Sequence, residues 1–183
     1  MRRIKDKSGA IEMSIGTIVI IVLAMTMLIL GIFLVQKIFK SATGAVDLTD
    51  EQLRSEINKL FGEDKELVIY PSSRRVEIKQ GKTDGVGIGI KNFDATDVYS
   101  YNVVANSGNN CPEDFEDTDA FNLIILGDSE EGIAIEAGGF AYRKVLLEIP
   151  QNAPICSIRY SISVTSEGGR TFPEFFDITI KAK

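Results

Sequence analysis

Histidine and tryptophan are missing from this chain of 183 residues, and cysteine occurs only twice. Without an imidazole, the commonest general base and the commonest transition-metal ligand are both gone, which excludes a histidine-dependent triad or zinc centre. Cys111 and Cys156 form no Cys-x-x-Cys element, and two thiolates alone cannot complete a tetrahedral cysteine site. No Asn-x-Ser/Thr sequon occurs, so N-linked glycosylation at that signal is not expected. No stripe of Lys and Arg offsets the net charge of -6, and duplex nucleic acid would be repelled. The acidity fits solubility, or life in salt or at a charged surface. No cofactor and no metal are expected.

What the chain has instead is oil near its start. Residues 13–35 run for 23 positions without a charge, behind Arg2, Arg3, Lys5 and Lys7. At ~1.5 Å per residue a helix of this length covers ~34 Å, enough to cross a hydrocarbon core of ~30 Å. Four cations and Asp6 precede the run and only Lys37 and Lys40 closely follow it. That bias predicts a cytoplasmic N-terminus and an extracytoplasmic chain after about Ser41. A cleaved secretory signal competes, but its apolar part is usually ~7 to 15 residues long and ends at a small-residue cleavage site. Here the run continues into Gln36-Lys37-Ile38-Phe39-Lys40, which still reads as helix.

The expected organisation is a basic N-terminal segment (1–12), a transmembrane helix (13–41), a neck with a short amphipathic helix (42–65) and an extracellular β-sandwich (66–183). Thr43-Gly44 breaks the long helix. Thr49 stands three residues before Gln52 as in a capping box, with Asp50 and Glu51 well placed in the first turn. Leu53, Ile57, Leu60 and Phe61 then make an apolar stripe, and Gly62 supplies a stop. That helix could pack on its own domain, on lipid headgroups or on a neighbouring subunit. Beyond it come short β-branched and aromatic runs at 67–70, 76–80, 85–92, 99–105, 121–126, 132–136, 143–149, 156–165 and 175–182. Alternation is clean at Ile158, Tyr160, Ile162 and Val164, so each strand buries one face, as in antiparallel sheets packed face to face. An immunoglobulin-like sandwich is the expected architecture, without the hallmark tryptophan. An even cysteine count outside the cell favours a Cys111–Cys156 disulfide over two buried free thiols. Closing a loop of about 46 residues would contribute ~4 kcal/mol in the chain-entropy model.

Gly85, Gly87 and Gly89 alternate within a strand, not between strand and helix, so they read as a face closely approached by another backbone or a partner, not a phosphate loop. Glu113, Asp114, Glu116, Asp117 and Asp119 lack the EF-hand spacing and read as a solvated acidic loop before calcium is considered. Carboxylate pairs from that cluster, or from Asp128, Glu130 and Glu131, are too ordinary in loops to mark a glycosidase. In the apolar run, Ser14, Gly16, Thr17, Ala24, Thr26 and Gly31 permit close helix approach, without a GxxxG pair. Glu12 at its edge is costly unless it reaches water or a cation.

The stretch from Lys7-Ser8-Gly9-Ala10-Ile11-Glu12-Met13 through Ile15-Gly16-Thr17-Ile18-Val19 resembles the N-terminus of archaeal type IV pilin-like proteins, including archaellins. The resemblance implies a leader cut by a prepilin-type peptidase after Gly9, with Ala10 opening the mature chain. It also implies that Glu12, Ile15, Gly16 and Thr17 serve assembly, and that a β-sandwich head follows. Ser8 stands where the family usually has Lys or Arg immediately before the glycine. Glu12 would be the third mature residue, where the pilin glutamate is usually the fifth.

The expectation is a non-enzymatic archaeal surface protein, self-associating through its N-terminal helix as a transmembrane rod or filament core. Its partners would be the membrane, copies of itself, the peptidase, and surface-layer or filament proteins. The alternatives are a permanently anchored binding module or archaellum stator-like accessory, and a carboxylate-dependent surface hydrolase.

Overall fold

The computed structural model describes residues 8–40, 48–62, 65–107 and 111–183. The chain divides into two compact units, Met1–Ser41 and Ala42–Lys183. Among its described residues the first contains a single helix, α1 (Ser8–Lys40). It begins at Ser8, not Met13, because Ala10, Glu12 and Met13 are good helix formers and the last charge does not mark the helix boundary. The expected break at Thr43-Gly44 lies outside the described residues.

The second unit is mostly β. Its elements are α2 (Asp50–Leu60), β1 (Leu67–Tyr70), β2 (Arg75–Lys79), β3 (Thr83–Lys91), β4 (Asp97–Asn106), α3 (Asp117–Phe121), β5 (Ile124–Leu126), β6 (Ser129–Ile135), β7 (Phe140–Glu148), β8 (Ser157–Ser166) and β9 (Thr171–Lys181). Two sheets form, in the orders β1-β3-β7-β5 and β2-β9-β8-β4-β6. Period-two alternation fills the core: Val86, Ile88 and Ile90 of β3 join Ile158, Tyr160, Ile162 and Val164 of β8 and Phe176 and Ile178 of β9 in one buried cluster. The Tyr160 and Phe176 rings stack with centroids 5.2 Å apart.

The sheets are not wholly antiparallel. β2 runs parallel to β9, with Val76 opposite Ile178 and Ile78 opposite Ile180. Residues 71–74 carry the chain from one sheet to the other, Arg74 N–H donating to the Pro71 carbonyl at 2.8 Å. Alternation tells which face of β2 is buried and is silent about strand direction, so this pairing left no mark on the residues. Further along, 121–126 is not one strand. Phe121 closes α3, where the Glu116 N–H donates to Asp119 Oδ2 at 3.0 Å, and β5 starts only at Ile124. Opposite Leu147 and Leu146, β5 fits an extra residue, a bulge at Ile125. β9 starts at Thr171 despite Pro173, which faces Ser163 of β8 upstream of the point where β2 joins at Asp177. There β9 is an edge and the missing N–H costs no ladder bond.

α2 is capped as its sequence predicts: Gln52 N–H donates to Thr49 Oγ1 at 3.3 Å, and Thr49 N–H donates to Gln52 Oε1 at 3.0 Å. Its stop is different. Phe61 leaves the helix extended (φ -67°, ψ 112°), and Gly62 takes no left-handed turn. α2 lies on its own unit, where Leu53 and Ile57 bury fully with Val68 among Phe61, Tyr70, Phe140 and Tyr142. The glycine face of β3 makes room for it. A Cβ on Gly87 would lie 2.6 Å from Leu53 Cδ1, and one on Gly89 would run into Ile57 and lie 2.9 Å from Phe61 Cζ. The close approach at Gly87 and Gly89 is therefore by side chains of α2, whereas Gly85 meets the backbone of Val145. Lys144 Nζ pairs with Asp50 Oδ1 at 2.8 Å and pins the N-terminal end of α2.

Candidate functional site

α1 is apolar on every side. All residues from Gly16 to Phe33 are exposed within the chain, with a mean hydropathy of 2.7. Thirteen large apolar side chains here expose half of their surface, from Ile21 at 49%, or more, up to Met27 at 74%. Thr26 Oγ1 donates to the Leu23 carbonyl at 2.9 Å, so its hydroxyl is satisfied within the helix itself. Gly9, Ala10, Glu12 and Ile15 lie in the first turns of α1, and Gly16 and Thr17 follow on the same helix. A Cβ on Gly16 or Gly31 would meet nothing within 4 Å, so both leave open flank for a neighbouring surface. The assembly residues anticipated from sequence thus share one helix.

At the other candidate, Cys111 and Cys156 are joined, Sγ to Sγ at 2.15 Å. This ties the acidic segment to β8, while Glu113, Asp114, Glu116, Asp117 and Asp119 all stay exposed to solvent. Phe115 packs on the core, and Tyr160 Oη donates to the Ala120 carbonyl at 2.8 Å. Asp117 accepts from Ser107 N–H at 2.6 Å and from Ser107 Oγ at 2.8 Å. Those two bonds, the backbone one first, hold its carboxyl below the usual range. Among the described residues no group of three or more His, Cys, Asp or Glu converges closely enough to hold a metal ion.

Of the carboxylates near β6, Glu130 is committed as well. Glu130 takes two bonds from Arg143, Nε at 2.5 Å and Nη2 at 2.6 Å, a fork-to-fork pair joining β6 to β7 across the two sheets. The hydrogen bonds from Arg143 hold Glu130 below the ordinary carboxylate pKa. A glycosidic acid needs the opposite shift. Burial lifts Tyr101, close by, to about 12.

One arrangement had no signature in the sequence reading. Beside α2, Arg54 Cζ lies 5.5 Å from the centroid of Phe140, and Phe140 meets Phe61 edge-on at 5.6 Å. Lys91 Nζ lies 5.7 Å from Phe61 and 4.7 Å from Phe93. Two cations and three rings thus form one continuous series from α2 across β3 and β7. The only cue in the residues was aromatic placement at element ends, Phe61 just after α2, Phe93 just after β3 and Phe140 opening β7.

No protein-family model and no curated protein matches the chain. Among solved structures, a family 123 glycoside hydrolase from Clostridium perfringens overlaps 60% of this chain at 13% identity and a TM-score of 0.43, and the overlap spans 22% of that protein. A PapD-like domain of human CEP192 overlaps 64% of this chain and 85% of its own, at 11% identity and a TM-score of 0.39. The sporulation control protein Spo0M of Bacillus subtilis overlaps 64% and 48%, at 11% identity and a TM-score of 0.38. Overlaps this shallow assign neither a family nor an activity.

Proposed function

We propose that this chain is a non-enzymatic archaeal surface protein, a pilin-like subunit whose α1 helix crosses the membrane with its N-terminus in the cytoplasm and later bundles with copies of itself. In this reading the two-sheet unit is an immunoglobulin-like head outside the cell. The carrying observation is the uncovered apolar flank of α1. At ~1.5–3 kcal/mol per large side chain, its thirteen exposed members represent roughly 20–40 kcal/mol of unrealised burial. A whole domain is stable by only ~5–15 kcal/mol, so water is not the medium of this helix. Lipid meets the need on insertion, and neighbouring α1 helices meet it in a filament. Lipid tails are as apolar as leucine, so leaving the bilayer requires an assembly motor. The pilin resemblance supplies Gly9 and Ala10 as the cleavage junction and Glu12, Ile15, Gly16 and Thr17 as assembly positions. The absence of histidine and the commitment of Glu130 to Arg143 support a role outside catalysis.

A second reading, a permanently anchored binding module or stator-like accessory, is favoured by Ser8 before Gly9 and by the early position of Glu12. The mass of the membrane-purified protein, with imaging of cells with and without it, separates the two. The pilin-like reading expects a chain starting at Ala10 and surface filaments that vanish when the protein is deleted. A start at Met1 on filament-free cells overturns it in favour of the anchor. A start beyond residue 35 would make α1 a signal sequence and overturn both.

A further inference from the structure

The two outer faces of the β unit differ. Beyond the five-stranded sheet stand Asn102, Ser161 and Ser163, exposed and polar, beside an exposed Val104. Arg159 is committed to Asp177 and Arg74 to Glu174, each at 2.8 Å, and Arg75 reaches Asp177 only at 4.0 Å. The α2 side carries the chain of Arg54, Phe140, Phe61, Lys91 and Phe93 instead. Neither Arg54 nor Lys91 has an ion-pair partner among the described residues. Phe93 is held out by a firm turn. Asn92 beneath it is fully buried, its Nδ2 donating to the Ala95 and Ile135 carbonyls at 2.8 and 3.0 Å while its Oδ1 accepts from Asp94 N–H at 3.0 Å. A large apolar ring is thus kept 39% exposed by a loop that has already lost its freedom.

We propose that, while α1 is in the bilayer, this face docks on the anionic phospholipid surface, with Arg54 and Lys91 at lipid phosphates and Phe93 in the headgroup layer. The inference rests on the membrane reading of α1. Rings with one wet edge, interleaved with cations, are the composition that settles at the boundary between headgroups and acyl chains. Basic side chains are drawn there by the negative surface potential, over a range of about one Debye length. A protein of net charge -6 is otherwise repelled by such a surface, so contact must be made through a local patch of cations. Nine residues, 41–49, separate α1 from α2, and at ~3.5 Å each they reach ~32 Å at most.

The absence of tryptophan makes the test direct, because F93W and F175W each introduce a single tryptophan, which can be excited selectively over the tyrosines. Phe93 and Phe175 are equally exposed at 39%, and Phe175 lies on β9 under Arg159, in the five-stranded sheet. The full chain is reconstituted into equimolar phosphatidylglycerol and phosphatidylcholine, the latter brominated near the glycerol end of its acyl chains. F93W is expected to be quenched at least about threefold more strongly than F175W, and that difference to fall by about half or more in phosphatidylcholine alone. The lipid change needs no further variant, so it cannot be confused with misfolding. Equal quenching at the two positions, or none at 93 in a chain that resists carbonate extraction, overturns the docking and leaves the anchor standing. Shielding of F93W from aqueous iodide without lipid quenching assigns the face to a protein neighbour and overturns the proposal. A chain extracted by carbonate overturns the membrane reading itself.

Discussion

Helix α1 and strand β8 are built from much the same apolar residues, yet they end in opposite surroundings. In β8, Ile158, Tyr160, Ile162 and Val164 are all at most 1% exposed, because alternation with Arg159, Ser161 and Ser163 gives the strand one dry face to turn on the core. In α1 the apolar residues run without interruption, so no rotation of the helix could bury them all against one surface. The same side chains make a self-sufficient core in one unit and a demand for an outside medium in the other. Periodicity, more than hydrophobicity, separates the two.

That contrast can be broken most severely in α1. Replacing Ile21 and Leu28 by Lys places two charges in the bilayer at ~2.5–3.5 kcal/mol each, which abolishes retention in the carbonate-washed membrane pellet. The unfolding temperature of the second unit should not move, because its core is internal. A coupled loss of both would show that the units depend on each other. Phe176→Ala attacks the opposite side of the comparison. It removes a fully buried ring stacked on Tyr160 and should cost ~3–5 kcal/mol in denaturant unfolding while membrane retention persists.

A subtler change is Gly89→Ala. Its methyl would displace Ile57 and Phe61, so α2 loosens from β3 at ~1–3 kcal/mol, read as faster amide exchange across 50–60. Exchange unchanged there would mean that the glycine face does not hold the helix. The smallest effect concerns Glu130, whose pKa is lowered in the folded chain by the hydrogen bonds from Arg143. Its contribution is fully present above the ordinary carboxylate pKa and is lost as pH falls through the depressed folded value. Glu130→Gln should therefore make stability fall less steeply below about pH 4.3, as followed by denaturant midpoints. The pair is about one-third exposed, which keeps the change modest.

Where the chemistry is local, the residues announced the structure. Thr49 and Gln52 wrote the start of α2, and the alternation in Val86, Ile88 and Ile90 wrote one buried face of β3, whereas the burial of its glycine face under α2 departs from the expected wet side. The disulfide between Cys111 and Cys156 was legible from their even count, together with the oxidising compartment that the basic start and apolar run lead one to expect. What depended on distant partners was hidden. The parallel pairing of β2 with β9 and the assignment of strands to two sheets leave the hydrophobic pattern unchanged. α3 is only 5 residues long and too acidic to show an apolar period. The ring and cation series beside α2 draws on residues from 54 to 140, gathered only when β3, β7 and α2 pack.

The central claim is that α1 sits in the cell envelope and holds the β unit outside. Ser163 is exposed on β8, and both native cysteines are in the disulfide, so S163C carries the only reactive thiol. Intact cells expressing S163C are treated with a membrane-impermeant maleimide. The account predicts full labelling without lysis. Labelling that appears only after the cells are broken would contradict it.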